Sequence, residues 1–229
     1  MQKKFSLISI LLLLASLLAG YQYQNLKRTS HVSTDNLLAI SWQNAFCQTH
    51  QNRRECRNVK ETSFSASHFT LHGLWPQPRS RVNCKGVKKV YLPKKLYQTL
   101  LEVMPAARSG LHQHEWRKHG TCYGKDPEDY FRDAIGLLKQ VNESPVRDLF
   151  ARNTGKWVTI EQVRFAFDKA FGKGSSRKVQ MVCKNGLVTE LWINLKGKID
   201  RNTKLSDLLK KAPMAKGGCQ KGKVDAVGF

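Results

Sequence analysis

The chain has 229 residues, 41% of them hydrophobic and 24% charged, with a formal net charge of +22. That length and composition suit one globular domain with a substantial core, and no repeat or composition break marks a second. The charge says little about fold and much about partners: a polyanion, nucleic acid first, or an anionic envelope surface. Six cysteines suit three disulfides in an exported protein, and the lack of any Cys-x-x-Cys pair excludes the usual zinc spacing.

Residues 1–20 read as a secretory signal peptide. Lys3 and Lys4 precede an apolar run from Phe5 to Leu18 that is short for a membrane span, so no stable membrane insertion is expected after its removal. Residues 21–36 are polar and aperiodic and read as a flexible lead-in, with His31 in solvent. One domain follows, residues 37–229. Leu37 to Trp42 reads as an apolar strand. Cys47 to Cys56 encloses a polar, Arg-rich loop that carries His50 at the surface. Phe64 to His72 leads into a strand whose alternation sets Phe69 and Leu71 on one face and His68, Thr70 and His72 on the other. Pro76, Pro78 and Gly86 then mark a long loop made basic by Arg79, Arg81, Lys85, Lys88 and Lys89. Such a loop suits an RNA backbone and is equally consistent with a plain solvated surface.

Pro93 opens a helix whose Leu96, Leu100, Leu101 and Met104 form a core face. Asp126-Pro127-Glu128 is a cap, a first-turn proline and a favourable acid, starting a helix that runs to about Asn142. Pro145 to Arg152 is a short helix, and Thr159-x-x-Gln162 is a capping box for a helix ending at Phe171. The last third alternates instead. Val179-x-Met181-x-Cys183 and Val188-x-Glu190-x-Trp192-x-Asn194-x-Lys196 flank Asn185-Gly186, which predicts a hairpin. A final short strand is expected at Val224 to Val227. The fold class that follows is α+β: a central antiparallel sheet with helices packed against it.

Chemistry concentrates at His114-Glu115-Trp116-Arg117-Lys118-His119-Gly120-Thr121-Cys122. On a helix, Glu115 and His119 share a face, Lys118 lies one turn from Glu115 and His114, and Gly120 ends the helix. A zinc-binding helix would need two histidines four apart. Here they are five apart, roughly 140° around the helix, so no metal is expected on that face. A solvated basic helix end is the bland alternative. Against it stands His72, in His72-Gly73-Leu74-Trp75-Pro76. A strand histidine with Glu-x-x-Lys-His on a helix supplies a proton acceptor, a proton donor and a cation for charge on phosphorus, with no cofactor.

These two blocks, His-Gly-Leu-Trp-Pro at 72–76 and His-Glu-aromatic-x-Lys-His-Gly-x-Cys at 114–122, resemble the signatures of the RNase T-two family of secreted endoribonucleases. The pattern is most similar to its bacterial periplasmic, ribonuclease I-like branch. The resemblance extends through Ile40 to Cys47, Gly124 to Phe131 and Leu187 to Leu191, over roughly 37–229. It implies a disulfide-linked single domain paired Cys47–Cys56, Cys84–Cys122 and Cys183–Cys219. It implies His119 as general base, His72 as general acid, Glu115 and Lys118 stabilising the transition state, His114 binding phosphate and Trp75 stacking on a base. The partner is RNA, DNA is inert for want of a 2′-hydroxyl, and the enzyme is a monomer in the periplasm or outside the cell. The family's acidic residue after Trp-Pro is replaced here by Gln77, which removes a carboxylate contact to the base and leaves a broad specificity. A non-catalytic binder of nucleic acid or envelope polyanions on the same fold is the alternative. It would not need to keep His72, Lys118 and His119. His68 and His112 are left over as structural residues.

Overall fold

The computed structural model describes residues 14–16, 32–86 and 89–228, so the basic end of the signal reading, His31, most of the lead-in and Lys88 lie outside the described residues. The chain divides into a unit ending at Val32, where residues 14–16 are helical, and a compact unit from Ser33 to Phe229.

In the larger unit, strand β1 (Asp35–Ser41) pairs antiparallel with β2 (Thr70–Pro76) on one side and with β5 (Leu187–Lys196) on the other. The hairpin expected around Asn185-Gly186 forms between β4 (Val179–Lys184) and β5. Both turn residues sit at positive φ, 52° and 78°, which Asn and Gly tolerate best. A small strand β3 (Trp157–Thr159), not anticipated from the sequence, pairs antiparallel with β6 (Lys221–Lys223), and β6 meets the start of β5 in a parallel contact. The last strand thus falls earlier than 224–227. Of the expected segment Val224 alone makes a bridge, parallel to Thr154, and the next carbonyl, Asp225 C=O, accepts from Trp42 Nε1–H at 2.8 Å. The lead-in also ends sooner than expected. Asp35 and Asn36 belong to β1, Ser33 is buried, and its N–H bonds Tyr123 C=O at 2.8 Å.

Most helices follow their sequence signals, and two short ones, Gln43–Cys47 and Leu205–Lys211, were not anticipated. The helices are α1 (Gln43–Cys47), α2 (Lys94–Val103), α3 (Leu111–Lys118), α4 (Pro127–Asn142), α5 (Pro145–Arg152), α6 (Ile160–Phe171) and α7 (Leu205–Lys211). Asp126 caps α4 by accepting from Asp129 N–H, and Thr159 and Gln162 close the capping box of α6. Trp42, Phe69 and Phe150 interlock edge to face and tilted in the core, ring centroids 4.6–5.4 Å apart.

Because β2 is the outer strand, its free edge needs partners. Helix α4 supplies them: Tyr130 O–H donates to Leu74 C=O at 2.9 Å, and the Asn142 amide bonds both polar groups of Phe69 at 2.9 Å. That clamp fixes the strand carrying His72. The three disulfides join the implied pairs: Cys47–Cys56, Cys84–Cys122 and Cys183–Cys219.

Candidate active site

Across the β1–β2 ladder Ala39 faces Gly73 and Ile40 faces Leu71, which leaves His72 with no partner on β1. It is the extra residue of a β-bulge, a device that re-aims side chains. Beyond it the alternation of faces is offset by one. His72 and Trp75, three apart and therefore opposed on a regular strand, both point toward α3, and their rings meet at 5.2 Å.

Helix α3 presents the expected face. Glu115 is 1% exposed and His119, at the helix C-cap, 8%, whereas His114 and Arg117 face solvent and Lys118 is half-buried. Glu115 accepts the Trp75 indole N–H at 2.7 Å and lies 3.8 Å from His72 Nε2. Only a glycine fits between these elements, since a Cβ on Gly73 would lie 2.1 Å from Glu115 Oε2. Gly120 plays a different part from the one expected. It adopts no left-handed cap but enters a 3-10 turn, where a Cβ would lie 2.3 Å from the Trp116 ring. The helix end is capped by the loop before it instead. Asn83 N–H bonds Lys118 C=O at 2.8 Å, Cys84 N–H bonds Thr121 Oγ1 at 3.1 Å, and the Cys84–Cys122 disulfide ties the two segments.

Within this frame the two histidines are driven in opposite directions. His119 stacks on Trp75 at 5.2 Å and its Nδ1 is buried without a hydrogen-bond partner. Burial first, then the charges of Lys118, His114 and His72, push its pKa down to about 4. For His72, burial also opposes the charged form. The Glu190 carboxylate, bonded to Nδ1–H at 2.5 Å, outweighs it with help from Glu115 and against Lys118, so its pKa rises above the usual value. Burial raises the Glu115 pKa, against the pull of His72, Trp75 and Lys118. His114 is pushed down by burial and by Lys118, Arg117 and His72.

All six of the predicted site residues, His72, Trp75, His114, Glu115, Lys118 and His119, come from β2 and from α3 with its C-cap. Sequence reasoning took Glu190 as part of a late core strand and, with Trp192, of an alternating one, and gave neither a role in the site. Both stand on the β5 face that looks across to His72. Trp192 Nε1–H donates to Glu190 Oε2 at 2.5 Å, its ring meets Trp75 at 5.6 Å, and the Arg79 guanidinium lies 4.4 Å over it. The period-2 pattern marked that face as polar, but not which strand it would meet. An open cleft of about 450 Å³ runs along His72, His114, Glu190, Ser41, Gln43 and Arg53. The other described histidines stay outside: His50 stacks half-buried on Phe46, His68 bonds Phe64 C=O at 3.2 Å, and His112 is buried beside Tyr97. Among the described residues no group of three or more His, Cys, Asp or Glu could hold a metal ion.

The pattern of the Ribonuclease T2 family matches residues 35–207. Ribonuclease I of Escherichia coli (strain K12) is 32% identical, covering 70% of this chain and 74% of that protein. Ribonuclease Rh of Rhizopus niveus is 28% identical over 54% of this chain and 62% of that protein. In structure, trichomaglin, described as an S-like ribonuclease, superposes with a TM-score of 0.60 at 17% identity, covering 86% of this chain and all of that one. RNase NT in complex with 5′-AMP gives 0.57 at 18% identity, covering 85% and 98%. The chain belongs to the ribonuclease T2 family and is an endoribonuclease.

Proposed function

We propose that the mature protein is an exported, metal-independent endoribonuclease that cleaves single-stranded RNA of broad base composition through a 2′,3′-cyclic phosphate to 3′-phosphate products. The observation that carries this reading is the pair of histidines on either side of Trp75 whose pKa values are pushed apart, the usual mark of an acid and base assignment. His119, neutral at physiological pH, takes the proton of the ribose 2′-hydroxyl as the 2′-oxygen attacks phosphorus. His72, charged, gives its Nε2 proton to the departing 5′-oxygen. Glu115 and Lys118 stabilise the charge that spreads over the phosphoryl oxygens. Opening of the cyclic phosphate reverses the roles: neutral His72 accepts a proton from water and His119 returns one to the 2′-oxygen. His114, exposed beside Lys118, binds phosphate, and Trp75 offers a ring to a base. The three disulfides fit an oxidising compartment, the periplasm or the outside.

The test is incubation of the purified protein with total RNA in EDTA, a matched DNA control, and mapping of the product ends. Cyclic and 3′-phosphate ends with intact DNA are expected. Retention of RNA without cleavage would favour a basic binder, and activity that needs a divalent ion would sink the metal-free chemistry.

A further inference from the structure

His72 stands on the bulged edge strand, and the carboxylate that meets its Nδ1 comes from β5, 118 residues further along the chain. We propose that Glu190 is the positioning residue for the general acid: it fixes the ring and tautomer of His72 so that Nε2 alone carries the proton to the leaving oxygen. This inference rests on the role given to His72 above.

Three observations support it. First, Glu190 is itself held from two directions. Oε2 accepts from the Trp192 indole at 2.5 Å, and Oε1 accepts from Ser41 Oγ at 3.3 Å as well as from His72. A carboxylate so engaged is fixed in place and does not exchange protons with substrate. Second, the bulge leaves His72 without a strand partner, so its orientation depends on side-chain contacts. Third, the groups facing the imidazole divide the work between its two nitrogens. Glu190 on β5 meets Nδ1, and Glu115 on α3 lies 3.8 Å from Nε2. Lys118 on α3 adds positive charge, His114 and the C-cap residue His119 face the same region with their charged forms disfavoured, and Trp75 packs edge-on against the ring. With Nδ1–H bonded to Glu190 throughout, loss of the Nε2 proton to the 5′-oxygen leaves a neutral ring whose Nε2 lone pair faces the site. That is the form needed to accept a proton from water when the cyclic phosphate opens.

Glu190→Gln keeps the shape and removes the charge. Wild type, Glu190→Gln and His72→Ala are assayed from pH 4 to 9 on a dinucleoside monophosphate and on a nucleoside 3′-(4-nitrophenyl phosphate), whose leaving group departs without a proton. Glu190→Gln should slow the dinucleotide on the order of 10–10²-fold, part of the ~10²–10⁴-fold a general acid supplies. It should also move the alkaline limb toward acid by about one to two units. On the nitrophenyl ester it should lie within about threefold of wild type. Trp192→Phe, which removes one bond to Glu190 and keeps its charge, should show a smaller defect with the same substrate dependence. It carries the test if Glu190→Gln does not fold. An equal loss on both substrates with an unmoved alkaline limb, or a wild-type rate on the dinucleotide, would overturn the role of Glu190. A wild-type rate for His72→Ala would instead overturn the assignment of the acid itself.

Discussion

Gly73 is the position where strand and helix approach most closely, and replacing it by alanine tests how tightly the site is built. Its φ is not in the left-handed region, so the substitution adds a methyl group without backbone strain. The new Cβ would lie 2.1 Å from Glu115 Oε2 and 2.5 Å from Trp75 Nε1. Ordinary contact begins near 3.4 Å, so the carboxylate must retreat by about 1.3 Å. That movement carries it out of reach of the Trp75 indole, now at 2.7 Å, and changes its distance to His72. A hydrogen bond to a charged group contributes about 1.5–3 kcal/mol. If the loss falls on the transition state, cleavage slows on the order of 10–150-fold. The assay is steady-state cleavage of a dinucleotide beside urea unfolding, for Gly73→Ala, Glu115→Ala and the double variant. The fall should appear mainly in kcat, and the double variant should be little worse than Glu115→Ala, because both changes remove the same contact. A Gly73→Ala enzyme within about threefold of wild type would refute the reasoning.

The rate should follow a bell against pH. It should rise as His119 loses its proton near pH 4 and decline only above the ordinary histidine range of ~6.5, because the His72 pKa is raised. His119→Ala should remove the acidic limb and His72→Ala the alkaline one, each at a cost on the order of 10²–10⁴-fold, and an acidic limb centred at ~6.5 would contradict the electrostatics. Cys84→Ser with Cys122→Ser should lower unfolding free energy by about 2–5 kcal/mol and inactivate the enzyme, read by urea titration and RNA cleavage. Tyr130→Phe, which strips the Leu74 carbonyl of its donor on the edge of β2, should cost about 1–3 kcal/mol in the same titration.

Much of this molecule is legible along the chain because the signals are short-ranged. The caps at Asp126 and Thr159, the Asn185-Gly186 turn and the apolar period of α2 each depend on residues within a few positions of one another. The helical spacing of Glu115 and His119 put both on the buried face of α3, as counting at 100° per residue requires. Counting failed where the count is interrupted or where the partner is remote. The bulge at His72 reverses the parity of β2, and nothing in His-Gly-Leu-Trp-Pro announces that the first and fourth residues share a face. The short β3–β6 pair was missed because three residues carry no readable period, and Asp225 was drawn off by the Trp42 indole. Glu190 reads in sequence as one polar position of an alternating strand. It becomes the partner of His72 only because β1 pairs with both β2 and β5 and sets their registers side by side. The sequence by itself determined which groups could do the chemistry. Sheet register, a bulge and a glycine-sized gap decided which of them meet, because those depend on contacts between segments that no spacing along the chain encodes.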